Sequence, residues 1–229
     1  MTSSATLCRE LARQIAEHGL VTDPAWLVAV EAVPRELFLP DAMFHPDGTR
    51  WEPVRREQLG DKAWLRAVYA DTSWATQLDG IDAQEAPGPV SERPTSSSTL
   101  PSLVARMPEL AEVQDGDVVL EIGTGTGYST AVLCHRLGAE NGYSVEYDEK
   151  VAAAAARHLR DAGCSPRLVV GDGLLGHQDG AYYDAAIATC AVRTIPPLWL
   201  WQVRDGGSIA TTVSGWMLGS GLIRLVLDE

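Results

Sequence analysis

Val118-Val119-Leu120-Glu121-Ile122-Gly123-Thr124-Gly125-Thr126-Gly127-Tyr128 reads as a buried strand that runs into a tight glycine turn and then into a helix. Such an arrangement lets bare backbone approach a nucleoside ligand closely. Alternating glycines are a weak signal alone, because many strand-to-helix turns carry them for backbone reasons only. Two carboxylates strengthen it. Glu121 sits inside the strand end, and Glu146 closes a second strand, Tyr143-Ser144-Val145-Glu146. It lies about 20 residues past the glycines, where a ribose-binding acid is expected.

Charge separates the candidate ligands. A pyrophosphate favours bare N–H groups at a helix N-terminus with no acid beside them, whereas a sulfonium and an amino group favour a nearby carboxylate. Glu121 therefore points to S-adenosyl-L-methionine, with S-adenosyl-L-homocysteine as product, rather than to a dinucleotide. The alternative is an ordinary doubly wound domain whose glycines only make turns.

The chain has 229 residues, enough to bury one sizeable core, so one structural unit with an N-terminal elaboration is expected. Its 45% hydrophobic and 21% charged residues are those of a soluble globular protein. A formal charge of -13 and the lack of a basic stripe argue against nucleic acid as a partner. There is no apolar run of membrane-spanning length, and Met1-Thr2-Ser3-Ser4 does not open a signal peptide, so a cytoplasmic location is expected. Cys8, Cys134, Cys164 and Cys190 lie far apart, which favours reduced, mostly buried thiols. The histidines show no ligand spacing, and no metal is expected.

Leu7, Leu11 and Ile15 mark an amphipathic helix that Gly19 stops, and Asp23-Pro24 caps a second helix through Trp26 and Val30. Val33 to Pro40 reads as extended or turn-like. From about His45 to Ser98 the periodicity fades, and Glu85 to Ser98 has the composition of a mobile loop. Trp51, Trp64 and Trp74 stand there among charged residues. Two readings stay open: a surface insertion whose tryptophans cover the core, and a lid that clasps a peptide.

From Leu100 helix and strand alternate. Helices are predicted along Leu103, Met107 and Leu110, from Ser129 to Leu137, through Ala152 to Leu159, and after Pro196-Pro197. Strands are predicted at Val118 to Ile122, Ser144 to Glu146, Leu168 to Val170, Ala185 to Ala188 and Ser208 to Val213, with an edge strand within Gly219 to Asp228. The expected fold is α/β: a mostly parallel Rossmann-like sheet with helices on both faces, ligand at the carboxyl ends of the strands, and an N-terminal helical elaboration. Residues 1–98 would hold the N-terminal helices and the enlarged loop region, and residues 99–229 the nucleoside-binding unit. The stop at Asp228-Glu229 without a final turn or cap fits a natural C-terminal region that lies beyond it.

Beyond these patterns, the chain resembles the protein L-isoaspartate O-methyltransferases. The resemblance runs through Val33-Pro34-Arg35-Glu36-Leu37-Phe38-Leu39-Pro40, Tyr69-Ala70-Asp71, Thr99-Leu100-Pro101-Ser102-Leu103-Val104-Ala105-Arg106-Met107 and the glycine turn. It continues through Ser144-Val145-Glu146, Gly171 to Gly176, Tyr183-Asp184-Ala185 and Ile195 to Gly207. It misses about His45 to Ala67 and Leu78 to Pro94. The resemblance implies a class I methyltransferase that esterifies an Asp or isoAsp carboxylate in a peptide or protein, so that a succinimide (aspartimide) can close afterwards. Carried over by position, Glu121, Gly123, Thr124, Gly125 and Gly127 would line the methionine end of the donor, Glu146 would hold the ribose, and Asp172 and Gly173 would flank the adenine. Thr99 stands where the family has a serine whose hydroxyl contacts the substrate carboxylate. Ser98 is a possible substitute for it, and Ser214 a second substrate contact.

A carboxylate is already ionised at neutral pH, so its methylation needs alignment rather than a strong base. This agrees with the lack of any His-Asp or Cys-His constellation. The threonine and the enlarged region before it resemble relatives from ribosomal-peptide biosynthesis (lanthipeptide, graspetide and lasso-peptide tailoring enzymes), which modify one dedicated peptide. General isoaspartyl repair, a small-molecule carboxylate methyltransferase and a non-catalytic donor-binding module stay open as alternatives. For Thr99 the competing role is a helix N-cap before Pro101.

Overall fold

The structure, a computed structural model, describes residues 3–180, 182–215 and 219–228. Helix α1 (Ser4–Glu17) starts where the Ser3 side chain accepts from the Thr6 N–H, and it buries Leu11 and Ile15. Helix α2 (Pro24–Ala32) is capped by Asp23, as the Asp-Pro pair predicts. The segment after it, read as extended or turn-like, holds one 3-10 turn, Arg35–Phe38, between extended residues.

Residues 42–98 depart most from expectation. They form a five-stranded antiparallel sheet rather than a loop: β1 (Ala42–Asp47), β2 (Arg50–Arg55), β3 (Trp74–Leu78), β4 (Ile81–Asp82) and β5 (Pro94–Ser98). Helices α3 (Arg56–Leu59) and α4 (Asp61–Val68) connect β2 to β3. The middle of the sheet is β1 and β3, with β2 outside β1, and β4 and β5 both paired to β3. Trp64 and Trp74 are buried, and Trp51 forms an isolated bridge to Val90 with N–H···O distances of 2.8 and 2.9 Å. Short strands held by partners distant in the chain leave no local period, which is why the sequence reads as loop.

The remainder follows the predicted alternation. Helix α5 (Pro101–Leu110) leads to β6 (Val119–Ile122), α6 (Tyr128–Leu137), β7 (Gly142–Glu146), α7 (Glu149–Asp161), β8 (Arg167–Val170), β9 (Tyr183–Val192), α8 (Pro197–Gln202), β10 (Val203–Ser214) and β11 (Ser220–Val226). The sheet order is β11-β10-β9-β6-β7-β8, parallel except for the antiparallel pair of β11 with β10. This is a doubly wound Rossmann-like fold. The chain reverses direction across the sheet between β6 and β9, and at such a point the carboxyl ends of the strands leave a crevice.

Pleat parity divides the core. Val119 of β6 packs in the cluster that holds Leu11, Trp26, Val104 and Leu133, whereas Leu120 and Ile122 belong to the opposite face with Val145, Ile209 and Trp199. A third cluster, with Phe44 and Leu78 at its centre, lies in the antiparallel sheet. Arg35 ties β5 of the antiparallel sheet to the α4–β3 link and to Tyr128 of α6. It is fully buried, and its guanidinium donates to the carbonyls of Val68, Ala70, Thr72, Ser98 and Thr99 and to the Ser98 hydroxyl, while lying 5.6 Å from the centre of the Tyr128 ring. Burial lowers its pKa to about 10.

Candidate active site

The carboxyl ends of β6, β7 and β9 open into a cleft of about 530 Å³. Its floor is the glycine turn. Gly123 and Gly125 have φ of 93° and 54°, conformations in which a Cβ is strained. A side chain at Gly125 would also stand 2.9 Å from the Ser97 carbonyl, so only glycine lets β5 cross this close above the turn. The antiparallel sheet therefore supplies one wall of the cleft.

Glu146 ends β7 beside that turn. Its Oε2 accepts from the Gly125 N–H at 2.8 Å, and its Oε1 accepts from those of Tyr147 and Asp148 at 2.9 and 3.1 Å. Three backbone donors fix the carboxylate and leave lone pairs toward the cleft, which suits a cis-diol. Farther along, Asp172 caps a turn through the Leu174 N–H at 2.9 Å. The neighbouring Gly173 leaves no room for a Cβ, which would fall 2.5 Å from Ile122, and its carbonyl accepts from the indole of the buried Trp199 at 2.7 Å. Leu174 and Trp199 offer apolar surface beside these polar groups. A flat base flanked by an acid and backbone groups fits there.

Of the residues named from the sequence, Thr99, Gly123, Gly125, Glu146, Asp172 and Gly173 meet around this cleft. Others do not. Glu121 shares the pleat face of Val119, so its carboxylate points below the turn, among α5 and α6, and not into the cleft. There its Oε2 accepts from Thr130 at 2.5 Å and Ser144 at 2.7 Å, its Oε1 has no hydrogen-bond partner among the described residues, and burial raises its pKa. Contrary to the sequence-based expectation, the Glu121 carboxylate therefore does not line the cleft. Thr124 is also beneath the turn, bonded to Ser144 at 2.6 Å, and Gly127 caps α6 in a left-handed conformation against α7. Ser214 pairs with Ser220 at the far end of β10 and is not among the cleft-lining residues.

Ser98 needs the same correction. Residues i and i+2 of a strand share a side, so Ser97 and Thr99 face the cleft while Ser98 turns inward to Arg35, 3.3 Å from its Nε. Strand alternation alone would have selected Ser97 as the stand-in. Thr99 does not cap α5 either. The cap position is Leu100, and the orphan N–H groups of Leu100 and Ser102 are taken by Ser73 at 3.0 Å and Asp71 at 2.8 Å. No hydrogen bond to a described residue engages the Thr99 hydroxyl, which stands at the cleft wall.

Thr189, Cys190 and Ala191 also line the cleft, and the sequence reading passed over them. Thr189 donates to the Gly123 carbonyl at 2.7 Å and so braces the turn. Cys190 is the one exposed thiol of the four, and Cys164 is half-buried, so burial is less general than expected. No cluster of three or more metal-ligating side chains occurs among the described residues, and none of their helices is long and apolar enough to cross a membrane.

Comparison with known proteins gives one family. The model of the protein-L-isoaspartate(D-aspartate) O-methyltransferases matches residues 49–215. Among named relatives, the protein-L-isoaspartate O-methyltransferase of Ignicoccus hospitalis is 31% identical over 207 residues, covering 90% of this chain and 81% of the relative. That of Vibrio vulnificus is 33% identical over 200 residues, covering 87% and 77%. A solved protein-L-isoaspartate O-methyltransferase superposes with a TM-score of 0.74 at 28% identity, over 96% of this chain and 60% of that one. The Plasmodium falciparum β-aspartate methyltransferase in complex with S-adenosyl-L-homocysteine has a TM-score of 0.69 over 97% of this chain and 90% of its own, at 10% identity, and supports the fold alone.

Proposed function

The chain belongs to the protein-L-isoaspartate O-methyltransferase family, and from that premise we propose that it esterifies the side-chain carboxylate of an aspartyl or isoaspartyl residue in a peptide, with S-adenosyl-L-methionine as methyl donor. The observation that carries the reading is that Thr99 lines the same cleft as the glycine turn and the Glu146 carboxylate fixed beside it.

The donor supplies an electrophilic methyl group on a sulfonium. The chain's own residues bind and align. Glu146 accepts from ribose hydroxyls, Asp172, Gly173 and Leu174 flank the base, and the Gly123 to Gly125 backbone receives the methionine end. Thr99 donates to one oxygen of the acceptor carboxylate and leaves the other directed at the methyl carbon. The acceptor is ionised at neutral pH, so no side chain has to remove a proton, and the rate gain comes from in-line approach at about 3 Å. The ester then makes the side chain a better electrophile, and the adjoining backbone nitrogen loses its proton, attacks the ester carbonyl and expels methanol as the succinimide closes.

The family's name supports an isoaspartyl acceptor and a role in repair. A second reading is tailoring of one ribosomally made peptide. It rests on threonine in the serine position alone, because the family model matches residues 49–215 and so takes in most of the antiparallel sheet, which reads from the sequence as an enlargement. Two peptides that differ only in an Asp or isoAsp linkage, offered with donor and followed by mass spectrometry, test both. Methyl ester on isoAsp across unrelated sequences is the repair result, and ester on Asp of a single sequence is the tailoring result. Donor turnover on neither, with turnover of a small carboxylic acid, would overturn the peptide assignment.

A further inference from the structure

A second cavity, of about 480 Å³, lies next to the first and shares Ser96 and Gly125 with it. One side is the antiparallel sheet with Asp41 and the β3–β4 region, and the other is the face of α7 that carries Lys150, Ala154, Arg157 and His158. Residues 150, 154, 157 and 158 follow helical spacing, so the charged groups rise from one stripe.

The charges on the two sides are not equally satisfied. Asp41 is paired with Arg56 at 3.1 Å, and Asp82 accepts from Gln77 at 3.3 Å. His158 is placed by its Nδ1, 3.1 Å from the Thr126 carbonyl of the glycine turn. Lys150 and Arg157 take part in none of the side-chain hydrogen bonds or ion pairs found among the described residues. Asp82 has only the uncharged Gln77 donor and no ion pair among the described residues, so two unpaired cations stand against one unpaired carboxylate, and the excess positive charge favours an anion in a chain of formal charge -13. The cavity adjoins the cleft at Ser96 and Gly125. A neighbour two or three residues from the acceptor reaches about 7 to 10 Å along an extended chain, enough to place its side chain in an adjoining pocket.

We propose that the second cavity is a subsite for an acidic side chain of the peptide substrate, held between Lys150 and Arg157, which selects methyl acceptors with a Glu or Asp nearby in the sequence. The proposal rests on the peptide-methylation reading and adds a specificity determinant to it. The two cations are solvent-accessible, so the preference is moderate, about fivefold in KM, and is screened by salt.

The test scans Glu against Gln at each position from four before to four after a constant acceptor residue. Lower KM for Glu at one or two positions is expected, with the advantage lost in 1 M salt and in the double variant Lys150→Gln/Arg157→Gln. Arg157→Glu should turn the preference toward Lys at the same positions. Esterification of all peptides with equal KM, or a Glu preference that survives in the double variant, would overturn the subsite and leave the methyltransferase reading standing. If no peptide is esterified, that reading falls by itself. The subsite is then judged by fluorescence anisotropy of labelled Glu and Gln peptides on wild type and double variant, where equal binding overturns it.

Discussion

Strands β6 and β9 of the parallel sheet are apolar apart from Glu121, Asp184 and Thr189, while β2, β3 and β5 of the antiparallel sheet carry Arg50, Glu52, Arg55, Thr76, Gln77 and three serines. The first sheet is buried on both faces by helices, and its sequence states that plainly. The second is held by pairings between distant residues, such as Thr76 to Ser96 at 3.1 Å, and by Arg35. Yet the second sheet delivers Ser97 and Thr99 to the cleft. On the proposed function, donor binding would fall to the locally encoded half and acceptor binding to the half encoded at long range.

Arg35→Met should disturb this division most. Five backbone carbonyls would lose their donor inside the protein, at a cost of about 4 kcal/mol of unfolding free energy. Urea unfolding followed by tryptophan emission reads the change, and a separate early transition from Trp64 and Trp74 would show the antiparallel sheet releasing first. A loss under about 1 kcal/mol would mean that Arg35 does not anchor the antiparallel sheet.

Next come the two neighbours of opposite parity. Thr99→Val keeps shape and deletes the hydroxyl, and should lower kcat by about one to two decades at unchanged melting temperature. Ser98→Ala should instead lower stability by about 1 kcal/mol and leave kcat within about threefold. Steady-state kinetics beside thermal melts distinguish them, and the opposite ranking would reverse which residue serves the acceptor.

The smallest effect is expected at Glu121, beneath the turn. Burial holds its carboxyl above the ordinary value of 4.5, so the native state binds this proton more tightly than the unfolded chain. Its contribution to stability is full below 4.5 and is lost as pH rises through the raised native value. Glu121→Gln lacks that loss, so its melting temperature relative to wild type should climb as pH increases from about 4. A difference that stays flat with pH would show that the bonds from Thr130 and Ser144 offset the burial.

Much of the parallel half was legible. The glycine turn, the alanine-rich α7, the alternation from β6 to β10 and even the antiparallel β11 appear where apolar runs, glycines and prolines put them. Trp64 was less so: α4 has only eight residues, too few for a clear stripe, and its burial depends on neighbours elsewhere in the chain. Within the cleft, Glu146 and Asp172 were readable because each closes a strand beside a turn. Glu121 and Ser98 were misplaced because residue type and spacing do not say toward which face of a pleat a side chain points.

By itself, then, the order of residues determined a doubly wound sheet, the place of its crevice and the backbone-only turn at its floor, since each depends on short-range propensity and on which φ values glycine alone tolerates. Tertiary structure alone decided that residues 42–98 form a sheet, that Arg35 anchors it, and that Thr99 rather than Ser98 looks into the cleft. Those outcomes depend on strand partners and pleat parity, which are set by contacts between segments tens of residues apart.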